Sequence, residues 1–203
     1  MMECESMEFL CRIFGVPPET KFGIGGISKE MTDRKGNIIK TTPLLIPNNP
    51  YRFTEDGLVD GMHKVCPDLL GNLCTDRFFV ERRQEVLERC GFADAYSGGK
   101  PLPVLERAKE IARFLGVRLD SPLRLVKDGE FADDRTYFLT EKGLFVKARA
   151  EKGFPEDVRF PCNFLYGEVL YGKFRLVDKM VLKRGKGNES AVLENGNDGA
   201  ERV

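Results

Sequence analysis

The chain has 203 residues, and 32 Lys and Arg are balanced by 32 Asp and Glu, giving a formal net charge of zero at pH 7. An apolar share of 41% supplies the core of one or two packed domains and excludes a wholly disordered chain. The balance of charge excludes an overall field that would gather nucleic acid or anionic lipid around the whole molecule, so a charged partner must be met by a local patch.

Glu3, Glu5 and Glu8 stand where a secretory signal would carry basic residues, and no apolar run approaches the length of a membrane span, so a cytoplasmic location is expected. Met7, Leu10, Cys11 and Phe14 have the i, i+3, i+4, i+7 spacing of a helix with one buried face, ended by Gly15. Strand-like runs follow at 21–24, 38–46 and 51–53. Between the first two, Gly23-Ile24-Gly25-Gly26-Ile27-Ser28 lacks the Gly-Lys-Ser/Thr ending of a P-loop and the dinucleotide-binding spacing, and it reads as a flexible loop. A hairpin is expected around Arg34-Lys35-Gly36-Asn37, with Lys29 and Lys40 on its flanks. Thr54-Glu55-Asp56-Gly57 is a tight turn, Cys66, Leu69, Leu70 and Leu73 mark a second helix, and Phe78 and Val80 mark a closing strand. Residues 82–89 are helix-compatible, and 91–101 contain the flexible connection Ser97-Gly98-Gly99-Lys100-Pro101.

The same grammar then returns. Ala108, Ile111, Ala112 and Leu115 form a helix face stopped by Gly116, and strand-like runs occupy 123–126, 136–139 and 144–148. Thr140-Glu141-Lys142-Gly143 is the turn, Cys162, Leu165, Tyr166 and Val169 the second helix, and Phe174 and Leu176 the closing strand. Three blocks match in one order. Arg12-Ile13-Phe14-Gly15-Val16 answers Arg113-Phe114-Leu115-Gly116-Val117 at a shift of 101; residues 51–58 answer 137–144 at 86; residues 66–73 answer 162–169 at 96. The expectation is an α+β fold in two tandem repeats, residues 1–82 and 103–183, joined by a helical and flexible linker at 83–102 and followed by a disordered tail at 184–203.

Few residues carry chemistry. The six cysteines lack paired ligand spacing and read as buried, reduced thiols, with Cys66 and Cys162 as core positions. His63 is the only histidine, so neither a metal nor an organic cofactor is expected, and no catalytic residue is assigned. Glu55 and Glu141 read as turn residues, with a small carboxylate-based enzyme as the weakest alternative. Arg77, Arg82, Arg83, Lys173 and Arg175, interleaved with aromatics, are either a single-strand-binding surface or solvated neighbours of buried rings. Lys29, Arg34, Lys35 and Lys40 fall in a segment that the second repeat lacks, which makes them the candidate partner-binding set.

Residues 14–22, Phe-Gly-Val-Pro-Pro-Glu-Thr-Lys-Phe, together with Tyr51-Arg52-Phe53-Thr54-Glu55-Asp56 and Leu69-Leu70-Gly71, resemble a family of small uncharacterised proteins encoded by phages and prophages of Gram-positive bacteria. That resemblance implies no chemistry. It implies an accessory protein of the bacterial host cytoplasm that binds and inhibits a host or defence protein, such as a nucleic-acid-bound CRISPR nuclease, with a DNA- or RNA-binding accessory role as the alternative.

Overall fold

The computed structural model describes residues 2–32, 38–46, 50–75, 77–147 and 158–179. In chain order the first half holds α1 (Met2–Phe14), β1 (Gly23–Thr32), β2 (Ile38–Leu45), β3 (Arg52–Thr54), β4 (Gly57–Val59), α2 (Pro67–Cys74), β5 (Phe78–Glu81) and α3 (Gln84–Arg89). The second holds α4 (Val104–Phe114), β6 (Leu123–Lys127), β7 (Glu130–Phe131), β8 (Tyr137–Thr140), β9 (Gly143–Lys147), β10 (Arg159–Pro161), α5 (Asn163–Leu170) and β11 (Arg175–Asp178). The fold is α+β with antiparallel sheets, ordered β2-β1-β5, β3-β4 and β10-β9-β8-β6-β11, with β7 paired to β6. Residues 184–203, expected as a disordered tail, lie outside the described residues.

The helix stripe read from spacing is the buried one: Met7, Leu10, Cys11 and Phe14 all face the interior, and Gly15 leaves α1 with a positive φ of 61° that glycine adopts without strain. Phe14, Phe22 and Phe53 pack ring against ring, with centroids 5.6 Å apart for Phe14 and Phe53 and 5.0 Å for Phe22 and Phe53. Leu70 and Leu73 from α2 join them in one hydrophobic cluster with Leu123, Leu139, Leu144 and Tyr166 from the second half. Each such fully buried side chain contributes about 1.5–3 kcal/mol, so the core ties both halves together. The connection between them is held along the first half: the Tyr96 N–H donates to Lys21 O at 2.6 Å and the Leu102 N–H to Ile13 O at 2.9 Å.

Residues 23–28 are strand, not loop. A glycine-rich run scores poorly on strand propensity, but side chains of other elements fill the room the missing ones leave, Leu87 at Gly23 and aromatic rings at Gly25 and Gly26. A Cβ on Gly25 would stand 2.6 Å from Phe79 Cε2, and one on Gly26 would stand 2.8 Å from Phe78 Cδ1. The thiols also divide differently from the expectation. Cys11 and Cys74 are buried, and burial pushes them up to about 11 and about 12. Cys90 is exposed, while Cys66 and Cys162 are half-buried at the N-caps of α2 and α5. There each thiol donates to the carbonyl of the second residue before it, Lys64 O at 3.2 Å and Phe160 O at 3.6 Å, which keeps it at the boundary of the core. Among the described residues no helix is long and apolar enough to cross a membrane.

The two short helices α2 and α5 cross antiparallel, the first residue of each against the fifth of the other. A Cβ on Gly71 would lie 2.0 Å from Asn163 O, and one on Gly167 would lie 2.1 Å from Pro67 O. Backbone meets backbone there, and the Asn163 Nδ2 donates to Asn72 Oδ1 at 2.8 Å beside the crossing. Gly71→Ala and Gly167→Ala are each expected to destabilise the protein by at least the ~1–3 kcal/mol usual for overpacking. The double variant should cost less than the sum, because the first methyl already parts the helices; urea denaturation of the four proteins measures it.

Candidate functional site

The longest strand pairing among the described residues is the β1–β2 ribbon. β5 pairs with β1 only over Gly23–Gly26, whereas β1 and β2 pair from Gly25↔Leu45 to Thr32↔Ile38. Beyond Gly26, the described pairings of β1 are with β2 alone, and the six residues 27–32 extend about 20 Å at the usual strand rise. β-branched Ile38, Ile39, Thr41 and Thr42 favour the extended backbone on the returning strand. Lys29 pairs with Thr42 and Lys40 with Met31, two register steps apart on opposite strands. Arg34 and Lys35 lie outside the described residues, in the segment that joins the strands.

The alternative basic set is not one surface of free cations. Arg77 and Arg175 are exposed. Arg82 is half-buried, and its Nη2 donates to Phe14 O at 2.7 Å, placing a positive group against the negative end of α1. Arg83 pairs with Glu81, and Lys173 Nζ reaches Glu168 Oε1 at 3.0 Å. The aromatics beside these residues are committed as well: Phe78 and Phe79 cover the glycines of β1, and Lys127 Nζ stands 5.6 Å from the Phe174 ring centre.

Glu55 and Glu141 are exposed in the tight turns of the β3–β4 and β8–β9 hairpins, where Thr54 Oγ1 donates to Gly57 O and Thr140 Oγ1 to Gly143 O. His63 is exposed, with a φ of 62°, on a loop held by Asp60 Oδ1, which accepts the Met62 and Lys64 N–H groups at 2.9 Å each. Among the described residues no three His, Cys, Asp or Glu side chains are grouped to hold a metal ion.

Several buried polar positions escaped sequence reasoning, Arg107, Ser6 and Glu81 among them. Arg107 is only 6% exposed; its Nη1 donates to Leu73 O at 3.2 Å and its Nη2 to Thr75 O at 3.5 Å, and its guanidinium lies 5.0 Å from the Phe14 ring centre. Position 107 falls on the same stripe as Ala108, Ile111 and Ala112, so helical spacing held the signal. Ser6 is also buried, and it floors a groove of about 260 Å³ between α1, α4 and the α5–β11 corner.

Glu81 is 1% exposed, in the last place of β5. Burial alone would raise its carboxyl, but hydrogen bonds from the Arg83 side chain and from the Arg83 and Arg82 N–H groups outweigh this and hold it below the usual carboxylate range. A depressed folded-state value gives stability that is full above the unfolded carboxylate's pKa of about 4.3 and is lost as pH falls through the folded value. Glu81→Gln is therefore expected to lower the thermal midpoint at neutral pH and to narrow its gap to the parent protein under acid; melts across pH 2–7 check this. In the comparisons with known proteins, no family model, no curated protein and no solved structure matches the chain.

Proposed function

We propose that the chain is one α+β unit written twice, and that it acts as a stoichiometric binding protein whose first copy carries the gripping arm, the β1–β2 ribbon. Pairing registers support the duplication. Phe22 bridges Tyr51 and Leu123 pairs with Tyr137, which are the same positions under the shifts of 101 and 86. Ile24↔Val80 becomes Leu125↔Leu176 under 101 and 96, and Phe53↔Leu58 becomes Leu139↔Leu144 under 86. Even an uncommon backbone state is shared. Glu19 and Asp120 both have positive φ, 54° and 58°, and their N–H groups donate to Phe53 O and Leu139 O.

The single observation that carries the binding role is the length of β1, ten residues against the five of β6 at the matching place. The second copy closes its sheet without the extension. An isolated two-stranded ribbon adds little stability in water, so its retention is better accounted for by contact with another molecule. Lys29 and Lys40, with Arg34 and Lys35 in the joining segment, make it locally basic in a chain of zero net charge. Such charge raises the association rate with an acidic face, and the same segment carries the apolar residues Ile38 and Ile39 in its sequence. The resemblance to phage-encoded proteins makes a bacterial host or defence protein that handles nucleic acid the partner class of this proposal. The half-buried Arg82, which donates to Phe14 O, and the paired Arg83 and Lys173 disfavour the alternative nucleic-acid surface.

Replacing residues 28–42 with an Asn-Gly turn leaves the pairs Gly26↔Leu44 and Gly25↔Leu45 to close the hairpin. The shortened protein is expected to keep the parent's thermal midpoint and to lose the proteins that the full chain captures from a bacterial lysate, identified by mass spectrometry. Identical captured sets would remove the ribbon from the interface. Saturable binding of a labelled single-stranded oligonucleotide by the full chain, weakening steeply with salt, would instead favour the nucleic-acid reading.

A further inference from the structure

The two halves solve one packing problem differently, and the difference leaves a niche. Arg107 of α4 fills the space at the end of α2, touching Leu73 O and Thr75 O and lying over Phe14. Under the same shifts, Arg107 corresponds to Ser6, Phe14 to Leu115, Leu73 to Val169 and Cys74 to Leu170. Those four residues, Ser6, Leu115, Val169 and Leu170, line the groove of about 260 Å³. It is the seat of the arginine with the arginine replaced by serine.

The remaining walls suit the same group. Phe114 and Phe174 present aromatic rings, and Phe174 already has the ammonium of Lys127 near its ring. Glu5 contributes a carboxylate, and the C-terminal end of α5 carries the partial negative charge of a helix terminus. Val169 O accepts the Gly172 N–H at 3.0 Å and is also approached by the Tyr171 N–H, so this helix end offers its partial negative charge rather than a free acceptor. Arg175 is the opposing charge on this lining, and it favours an occupant that brings an acceptor beside its cation, as a peptide backbone does. A guanidinium on a flexible apolar stem fits these walls better than a compact, strongly hydrated ammonium.

We infer that this groove receives an arginine side chain of a protein partner, at the place where the other half seats its own Arg107. The inference rests on the correspondence of the halves and not on the β1–β2 ribbon, so the variant lacking residues 28–42 should bind the probe as the full chain does. The test titrates the ¹⁵N-labelled full chain with N-acetyl-arginine-methylamide and, separately, with the uncharged N-acetyl-norleucine-methylamide. The arginine probe is expected to shift the amides of Ser6, Val169, Leu170 and Gly172 saturably, and the norleucine probe to leave them in place. Glu5→Gln should weaken the response several-fold. Ser6→Arg should abolish it without lowering the thermal midpoint, because the chain then fills its own niche. Equal responses to the two probes would reduce the site to an apolar cleft, and no saturable response to either would overturn the proposal, even if Ser6→Arg fails to fold.

Discussion

The crossing of α2 and α5 is the constraint on which the rest of the structure depends. Two backbones approach so closely that a single methyl at Gly71 or Gly167 would sit on a carbonyl of the facing helix. Such contact gains dispersion only if neither helix slides, and the Asn163 to Asn72 hydrogen bond fixes the register. With the helices locked, Leu70 and Leu73 on one side and Tyr166, Val169 and Leu170 on the other are driven into one shared interior. Neither half then has a core of its own to retreat to. The strands follow from this, since β5 and β11 each leave the end of a crossing helix and pair with the first strand of their own half, β1 and β6.

Much of this was legible in the sequence because it rests on period and punctuation. The stripe of Met7, Leu10, Cys11 and Phe14, the Thr-to-Gly turns at 54–57 and 140–143, and the glycines that end α1 and α4 are local signals, and they appear where spacing put them. What could not be read depends on partners distant in sequence. Gly25 and Gly26 are strand because the rings of Phe79 and Phe78, from a strand more than fifty residues on, occupy the space beside them. The two-residue β7 and the three-residue β10 are too short to show alternation and exist only as neighbours of β6 and β9. Helical spacing puts Cys66 and Cys162 in the core, yet an N-cap lies half outside its helix, and each thiol packs against the core's edge while donating to a carbonyl. The basic residues of the ribbon were visible as composition, but their register was not.

The ends of the crossing helices show why one half requires a buried arginine and the other does not. α2 stops at Thr75 in an extended conformation, φ −89° and ψ −164°, and the Thr75 N–H and Oγ1 both go to Asn72 O. Leu73 O and Thr75 O are left facing the interior, where a carbonyl without a donor costs about 1–3 kcal/mol. Arg107 supplies the donors, and the negative end of α2 offsets part of the cost of burying its charge. α5 ends another way. Gly172, with a φ of 76°, turns the chain back so that its own N–H meets Val169 O and the Lys173 N–H meets Glu168 O, at 3.0 Å each. Backbone donors close that helix. Because Gly172 closes α5 with backbone donors, this helix end does not need a guanidinium of the chain's own, and under the proposed duplication position 6 is free of that requirement. Under that duplication serine is sufficient at position 6, and the volume an arginine would have filled is the groove lined by Glu5, Phe114, Phe174 and Arg175.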